Sequence, residues 1–524
     1  MNLLPWTLTL LPILPLLAAL VLALSKRLDQ PEAVQMVMVM AVLVILVALF
    51  MPVTRLDLPG VLVLGNPALV IDPVARAALL LFGSLWLAAA LIFRKQDHQS
   101  FPAMALLVTL SGAVTLAMAE GQALVYAVML VCGYGVFSLL AWPNDDALNR
   151  AGRALIVMLV ISDVLVFEVL LGAAKEPGME LKPFYLVLLV IALMLRGGMA
   201  PAHVWLPVAF KSLRSGALVL VATVPAATAL YAALRMLPGA VTDLAPMFLV
   251  LGLVGTVWVS IAGLAQAHYR AILGYAVAAT AAVLLLALPM TVDSGPYLAA
   301  LGLTLLTSAA AALLVVGLPP GHSRRFLSSL VLVLHALAIG QIAWQAPAVL
   351  PDLAVWLVPL VGLMASALFS YGVFSGLQYR RGEPRAEVVG STWVLVLAAT
   401  FGLGMGVLDH GWMMPALLNV PLGLGLGFVL YRLLAGDRSA LLPPGDLLAP
   451  IEQGVNWLLR LVRVLCMRRL PILRDRFEAA LAGMWRGEFW SRQVESIDTR
   501  LRIWTATSVL MLVVAVTAAF LLVQ

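Results

Sequence analysis

Long apolar runs, cut by short polar or Gly/Pro-rich breaks, repeat along nearly the whole chain. A membrane-crossing helix needs about 20 apolar residues, and on that rule the pattern predicts about sixteen spans. They fall at 4–24, 34–54, 73–93, 101–119, 123–142, 154–174, 183–200, 217–236, 244–266, 271–290, 296–317, 326–345, 352–375, 390–408, 413–434 and 503–523. Between the second and third runs, GVLVLGNPALVIDP alternates apolar and turn residues, which predicts a small external hairpin ending at Asp72. The expected fold class is therefore an all-α polytopic membrane protein. Its parts are a helical bundle over 1–436, a basic amphipathic segment over 437–502 and a last transmembrane helix over 503–524. The first run, Leu4–Leu24, has no basic region before it and no clear small-residue cleavage site, so it reads as the first span.

One break differs from the others. Arg196 ends the run that starts near Phe184, and Gly197, Gly198 and Pro201 interrupt the helix at membrane depth. A short amphipathic piece, HVWLPVAF, then leads to Lys211 and Arg214 before the next apolar run, so a discontinuous helix is expected near 196–216. Broken backbone at that depth survives only where protein or water covers it. A cation there costs about 2.5–3.5 kcal/mol on insertion scales, so it usually faces a cavity or a counter-charge. Break and cation together are a common way to build an ion pathway. The plainer alternative is a loop whose arginine reaches the interface.

Composition agrees with the pattern: 63% of the 524 residues are hydrophobic and 11% charged, with a mean hydropathy of +1.05. A chain of this kind excludes a water-soluble enzyme, and its net charge of +6 is no argument for nucleic acid. The excess cations instead mark cytoplasmic loops. If Lys26 and Arg27 are cytoplasmic, alternation puts Arg94, Lys95, Arg150, Arg153, Lys211, Arg214, Arg270, Arg324, Arg325, Arg380, Arg381, Arg385 and Arg438 on the same side. Few cations remain opposite, so the N-terminus is expected outside. Cys132 and Cys466 show no metal or redox spacing and read as packing residues. Within 437–502, Arg460, Arg463, Arg468 and Arg469 interleave with leucines and valines, as in a helix lying on the cytoplasmic surface and broken at Pro471.

Polar residues inside spans are sparse. Asp163 and Glu168 share the sixth span, about 500° apart around a helix, so they point in different directions. Glu168 is the expected counter-charge for Arg196, His335 lies inside the twelfth span, and Glu120 sits at a span end where solvation suffices. The candidate ion-pathway residues are Arg196, Asp163, Glu168, His203, Arg270 and His335. No catalytic residue, metal ligand set or phosphate-binding loop stands out, so no cofactor is expected.

The motif RGGMAPAHVWLPVA resembles the Lys-x-x-x-x-Pro-x-His-x-Trp-Leu-Pro-x-Ala signature of a known family, with Pro201, His203, Trp205, Leu206, Pro207 and Ala209 in register. That family comprises the proton-conducting, antiporter-like subunits of respiratory complex I, membrane-bound hydrogenases and multi-subunit Na⁺/H⁺ antiporters. QAHYRAILGYA is similar to a second family segment, Gln-x-Asp-x-Lys-Arg-x-Leu-Ala-Tyr-Ser, at Gln266, Leu273 and Tyr275. The resemblance covers roughly 55–290, and 291–440 matches only in hydrophobic pattern. It implies a prokaryotic cytoplasmic-membrane location, other membrane subunits as partners, and a soluble or peripheral catalytic module. The departures matter equally. The family's fifth-span glutamate has no counterpart, its lysines fall on Arg196 and Arg270, and its His-x-x-x-Lys falls on LTSAAAALL, which has no ionisable group. Arginine keeps its proton where a desolvated lysine can release one. Two readings stay open: a subunit that moves protons, or Na⁺ against protons, by a rewired path, and a non-conducting scaffold that anchors a hydrogenase-like or inorganic-carbon uptake partner.

The charge asymmetry makes a direct prediction. Cysteines placed at Lys95, Arg325 or Arg381 resist an impermeant thiol reagent added from outside, and cysteines near Asp57 or Asp293 react; external labelling at Arg381 reverses the orientation.

Overall fold

The computed structural model describes residues 4–24, 30–58, 67–93, 102–141, 146–175, 182–213, 216–237, 244–345, 354–378, 386–410 and 414–434. The expected surface helix at 437–502 and last span at 503–524 lie outside these residues. The helices are α1 Leu4–Leu24, α2 Gln30–Phe50, α3 Pro73–Phe93, α4 Pro102–Met118, α5 Gln122–Ala141, α6 Asp146–Lys175, α7 Pro183–Gly197 and α8 Trp205–Ser212. They continue with α9 Gly216–Met236, α10 Ala245–Leu264, α11 Tyr269–Ala287, α12 Thr291–Val316, α13 His322–Gln345, α14 Ala354–Leu377, α15 Ala386–His410 and α16 Asn419–Leu434.

Among the described residues, fourteen helical stretches are long and apolar enough to cross a membrane, with α7 and α8 counted as one stretch and α4 a shorter apolar helix. Every expected span between residues 4 and 434 falls on one of these helices. One difference is at the start of α6, which begins at Asp146, so Arg150 and Arg153 ride its first turns and are not in a loop. Asp146 in that first turn suits the helix dipole.

Burial sorts the helices. About 94% of the apolar stretch in α9, α11 and α12 is buried and 83% in α3, against 17% in α16 and 28% in α2. Helices that are apolar all round fill the centre, and those with an exposed apolar stripe form the rim, as expected with lipid as the solvent. Inside the core, threonine hydroxyls turn back onto their own helices: Thr223 donates to the Val219 carbonyl at 2.7 Å and Thr228 to Val224 at 2.6 Å. Such local bonds satisfy hydroxyls where water is excluded.

A strand pair ends at Ile71, close to the expected limit at Asp72, but its first strand lies upstream of the expected stretch, residues 59–66 lie outside the described residues, and a third strand is added. β1 (Thr54–Asp57) pairs antiparallel with β2 (Ala68–Ile71), and β2 pairs with β3 (Ala119–Glu120). Glu120, expected only to be solvated, lies 2.8 Å from Arg55, which also holds Asp57 at 2.8 Å. Next to the sheet, Asp72 accepts the Ala75 N–H at 2.7 Å and so caps α3. Its two oxygens also take the Arg235 guanidinium at 2.7 and 2.9 Å. One carboxylate thus joins the N-terminus of α3 to the C-terminus of α9, and each charge sits at the helix end that favours it.

Asp72→Ala therefore lowers the thermal stability of the detergent-solubilised protein, by about 1–2 kcal/mol for the cap alone. Glu120→Gln, which touches only the exposed arginine of the sheet, leaves the melting temperature unchanged.

Candidate functional site

The helix break forms as its sequence dictates. Pro183 opens α7, where the missing N–H costs nothing. Gly198 closes it in the left-handed conformation (φ 63°), its N–H bonded to the Met194 carbonyl. A Cβ on Gly198 would lie 3.2 Å from the Trp205 ring. A single 3₁₀ turn, Ala202–Val204, leads into α8. His203 on that turn is fully buried and meets the Tyr275 ring edge-on at 5.5 Å.

Arg196, in the last turn of α7, is 1% exposed. Its Nη1 donates to the Met129 carbonyl of α5 at 2.7 Å, and its Nη2 donates to Asp163 Oδ1 of α6. Asp163 Oδ2 accepts the Tyr134 hydroxyl at 2.8 Å. The close approach to α5 depends on Gly133, where a Cβ would stand 2.6 Å from Arg196 Nη1. Cys132, Gly133, Leu155, Leu159, Pro225 and Thr228 enclose a small void of about 10 Å³ beside the guanidinium. The cation therefore joins α5, α6 and α7 through one side chain. The pair is asymmetric: the Asp163 side chain is 12% exposed and Tyr134 38%, so the anionic end reaches the lateral surface of the bundle.

Glu168 is not the partner of Arg196. It is exposed, and Asp163 holds the position facing α7. On α6 the side that packs on α7 carries Ser162, whose hydroxyl donates to the Ala192 carbonyl at 2.9 Å, and Asp163 lies beside it. Five residues further on, the rotation takes Glu168 away from that contact.

The remaining candidates stand apart from the pair. Arg270 lies at the start of α11, half-buried, with its Nη1 on the Leu213 carbonyl at 3.2 Å and its Nε on the Tyr269 hydroxyl at 3.2 Å, so it ties α8 to α11. Its backbone N–H is accepted by His268 Nδ1 at 3.2 Å, which caps the helix. Burial, then Arg270 and Lys211, hold His268 below the ordinary imidazole range, and the neutral ring is the form able to accept that bond.

His335 of α13 is completely buried and stacks on Phe369 with centroids 3.6 Å apart. Its two ring nitrogens meet Ser308 Oγ at 2.8 Å and Thr280 Oγ1 at 3.2 Å. Ser308 belongs to the stretch of α12 that has no ionisable residue, so the histidine of this region comes from α13 and only its hydroxyl partner from α12. Further neutral groups pack around α13: Tyr297 donates to Gln341 at 3.2 Å, and Asn419 donates to the Ala336 carbonyl and to Ser366 Oγ, both at 2.8 Å. Sequence reading missed Tyr134, Gly133, Thr280 and Ser308. A tyrosine and a glycine in an apolar run carry no signal until a cation is seen to need them. Among the described residues, no three His, Cys, Asp or Glu side chains converge as a metal site would require.

Residues 153–346 match the family model described as NADH:quinone oxidoreductase/Mrp antiporter, TM. The match begins later than the resemblance seen in the sequence and extends past its limit near 290, and it contains all six candidate residues. Among solved structures, a chain of the Mrp complex from Dietzia sp. DQ12-45-1b aligns with a TM-score of 0.69 at 14% identity over 91% of this chain. The chain spans 62% of that relative's length. A chain of respiratory complex I from Thermus thermophilus, solved with bound aureothin, aligns at 0.60 with 17% identity, covering 78% of this chain and 99% of its own. A chain of the membrane-bound sulfane sulfur reductase, an archaeal respiratory membrane complex, aligns at 0.59 with 18% identity, covering 81% and 99%. Among characterised proteins, none matches the chain by sequence.

The geometry of the pair sets its energetics. Removing one partner of a buried ion pair strands the other at a cost of about 3–5 kcal/mol. Asp163→Asn therefore destabilises strongly, and adding Arg196→Gln recovers part of the loss. Glu168→Gln shows no coupling to Arg196 in the same thermal-unfolding cycle. Gly133→Ala, which pushes the guanidinium off the Met129 carbonyl, costs about 1–3 kcal/mol.

Proposed function

We propose that the chain is a divergent, antiporter-like member of the family whose model, NADH:quinone oxidoreductase/Mrp antiporter, TM, matches residues 153–346, and that it is a membrane subunit of a multi-subunit ion-translocating complex. It contributes to proton or Na⁺/H⁺ movement only together with partner subunits, in the cytoplasmic membrane of a prokaryote. The bacterial and archaeal complexes that share its fold support that setting.

One observation carries this reading: the position at the helix break that resembles the family's lysine is Arg196, buried and bound to Asp163 and to a backbone carbonyl. A lysine at such a site can give up its proton, and an arginine cannot. The pair is then a fixed charge with one adjustable end, Asp163, rather than a relay. A proton path across about 30 Å of hydrocarbon needs a series of groups or waters that both gain and lose protons. The groups around His335 are hydroxyls and amides, which carry protons only in a continuous chain with water.

The second reading is a non-conducting scaffold that anchors a peripheral catalytic partner. The enclosed, neutral surroundings of His335 favour it.

Vesicle reconstitution separates the two. The chain alone gives proton flux no higher than empty vesicles, and the complete complex restores it. Asp163→Asn in the complete complex cuts the flux at least tenfold if the pair takes part, and unchanged flux in an intact Asp163→Asn complex leaves the scaffold reading. Robust flux from the chain alone overturns the partner requirement.

A further inference from the structure

The outer face of α6 is apolar except at one point. Val157, Val160, Ile161, Val164, Phe167 and Leu171 are exposed, from 41% at Leu171 to 64% at Val164, at the three- and four-residue spacing of one helix stripe. Exposed apolar side chains suit lipid. Glu168 lies within that stripe, exposed, and no hydrogen bond or ion pair reaches it among the described residues. The apolar run of α6 continues to Ala174, so Glu168 sits about 9 Å inside it at 1.5 Å per residue. A carboxylate at that depth is expensive unless it is paired. Its two methylenes also cannot carry it to the interface as a lysine's four can.

We propose that this stripe is the docking surface for a membrane-spanning helix of a different subunit, which brings a Lys or Arg to Glu168 in the outer half of the bilayer. The inference rests on the reading of the chain as one subunit of a complex. This chain cannot supply that cation from its own spans. Apart from Arg196, which is buried and committed, and Arg153, two turns into α6 and just before its apolar run, the Lys and Arg residues of the described helices lie within about a turn of a helix end, so a second copy brings none to this depth. The apolar run at 503–523 contains no Lys, Arg or His, so it carries no charge wherever it lies. Lys175, on α6 itself, is two turns away, about 10.5 Å of rise.

The location gives the contact a further consequence. Tyr134, half-exposed on α5, holds the anionic end of the Arg196–Asp163 pair, five residues before Glu168 on α6. A helix seated on the stripe stands next to the exposed end of the buried pair.

The test uses the whole complex, purified from its native membranes through a tag on this chain. A photo-crosslinking residue at Val164 is expected to attach to a membrane-spanning peptide of a different subunit that contains Lys or Arg, and one at Val250 on α10 is not expected to reach that peptide. Glu168→Gln is expected to reduce retention of that subunit at least fivefold and Glu168→Lys at least tenfold, with the amount of this chain in the membrane unchanged. Lys175→Gln leaves retention as in the wild type. Crosslinks from Val164 only to lipid, to a second copy of this chain, or to a span without a cation overturn the inference, and so does a Lys175→Gln variant that reproduces the Glu168→Gln loss. The crosslink needs no change at Glu168, so the test stands even if the charge-reversed chain fails to fold. An intact complex whose crosslinks lie elsewhere sinks this surface alone, and a wild-type chain that purifies with no other membrane subunit sinks the subunit reading itself.

Discussion

A guanidinium in hydrocarbon has no neutral state to retreat to, so everything around Arg196 is built to satisfy a permanent charge. Nη1 takes a backbone carbonyl of α5, and Nη2 takes the carboxylate of α6. Gly133 leaves the space that a methyl group would fill, and Gly197 and Gly198 end α7 just beyond the charge. Each of these features makes little sense without the cation, and together they set the spacing of three helices. The interaction costs desolvation on both sides, so its value lies less in net stability than in allowing one arrangement and penalising others.

The other half of the core solves the same solvent problem with neutral groups. His335 is enclosed by Ser308, Thr280 and Phe369, and Gln341, Tyr297, Asn419 and Ser366 continue the pattern along and beside α13. No net charge has to be compensated there, so the helices pack closely. Polar groups of this kind fix register through directed bonds without the rearrangement that a mobile charge demands. Two designs therefore coexist in one bundle: a charged pair at the broken helix and a neutral, hydrogen-bonded core around His335.

Much of this was readable from the sequence, for reasons that residues make plain. A bilayer forces long apolar runs, so the spans announced themselves, and Gly197, Gly198 and Pro201 beside Arg196 marked the break. The partner of Arg196 was harder. Sequence order pointed to α6, which neighbours α7, but choosing between Asp163 and Glu168 needs the rotation of α6 about its own axis. Both faces of α6 are apolar, so hydropathy does not set that rotation. Ser162, bonded to the Ala192 carbonyl, is the residue that marks the packed side. His335 and Ser308 were illegible as a pair for a different reason: they lie 27 residues apart on adjacent helices, and nothing in either segment names the other.

What the arginine changes is where an electrical signal at this site can come from. A lysine and a carboxylate can each alter their charge, so either end of such a pair can start a change. With arginine, only the carboxylate end is adjustable, and Asp163 sits at the edge of the bundle beneath the half-exposed Tyr134. In the proposed role, a change in the pair therefore begins at the lateral surface, where another subunit would stand, and passes inward along the guanidinium to α5 and the end of α7. In that role, an arginine where the resembling family has a lysine offers no relay along the axis of the membrane and leaves the pair open to a neighbour lying in its plane.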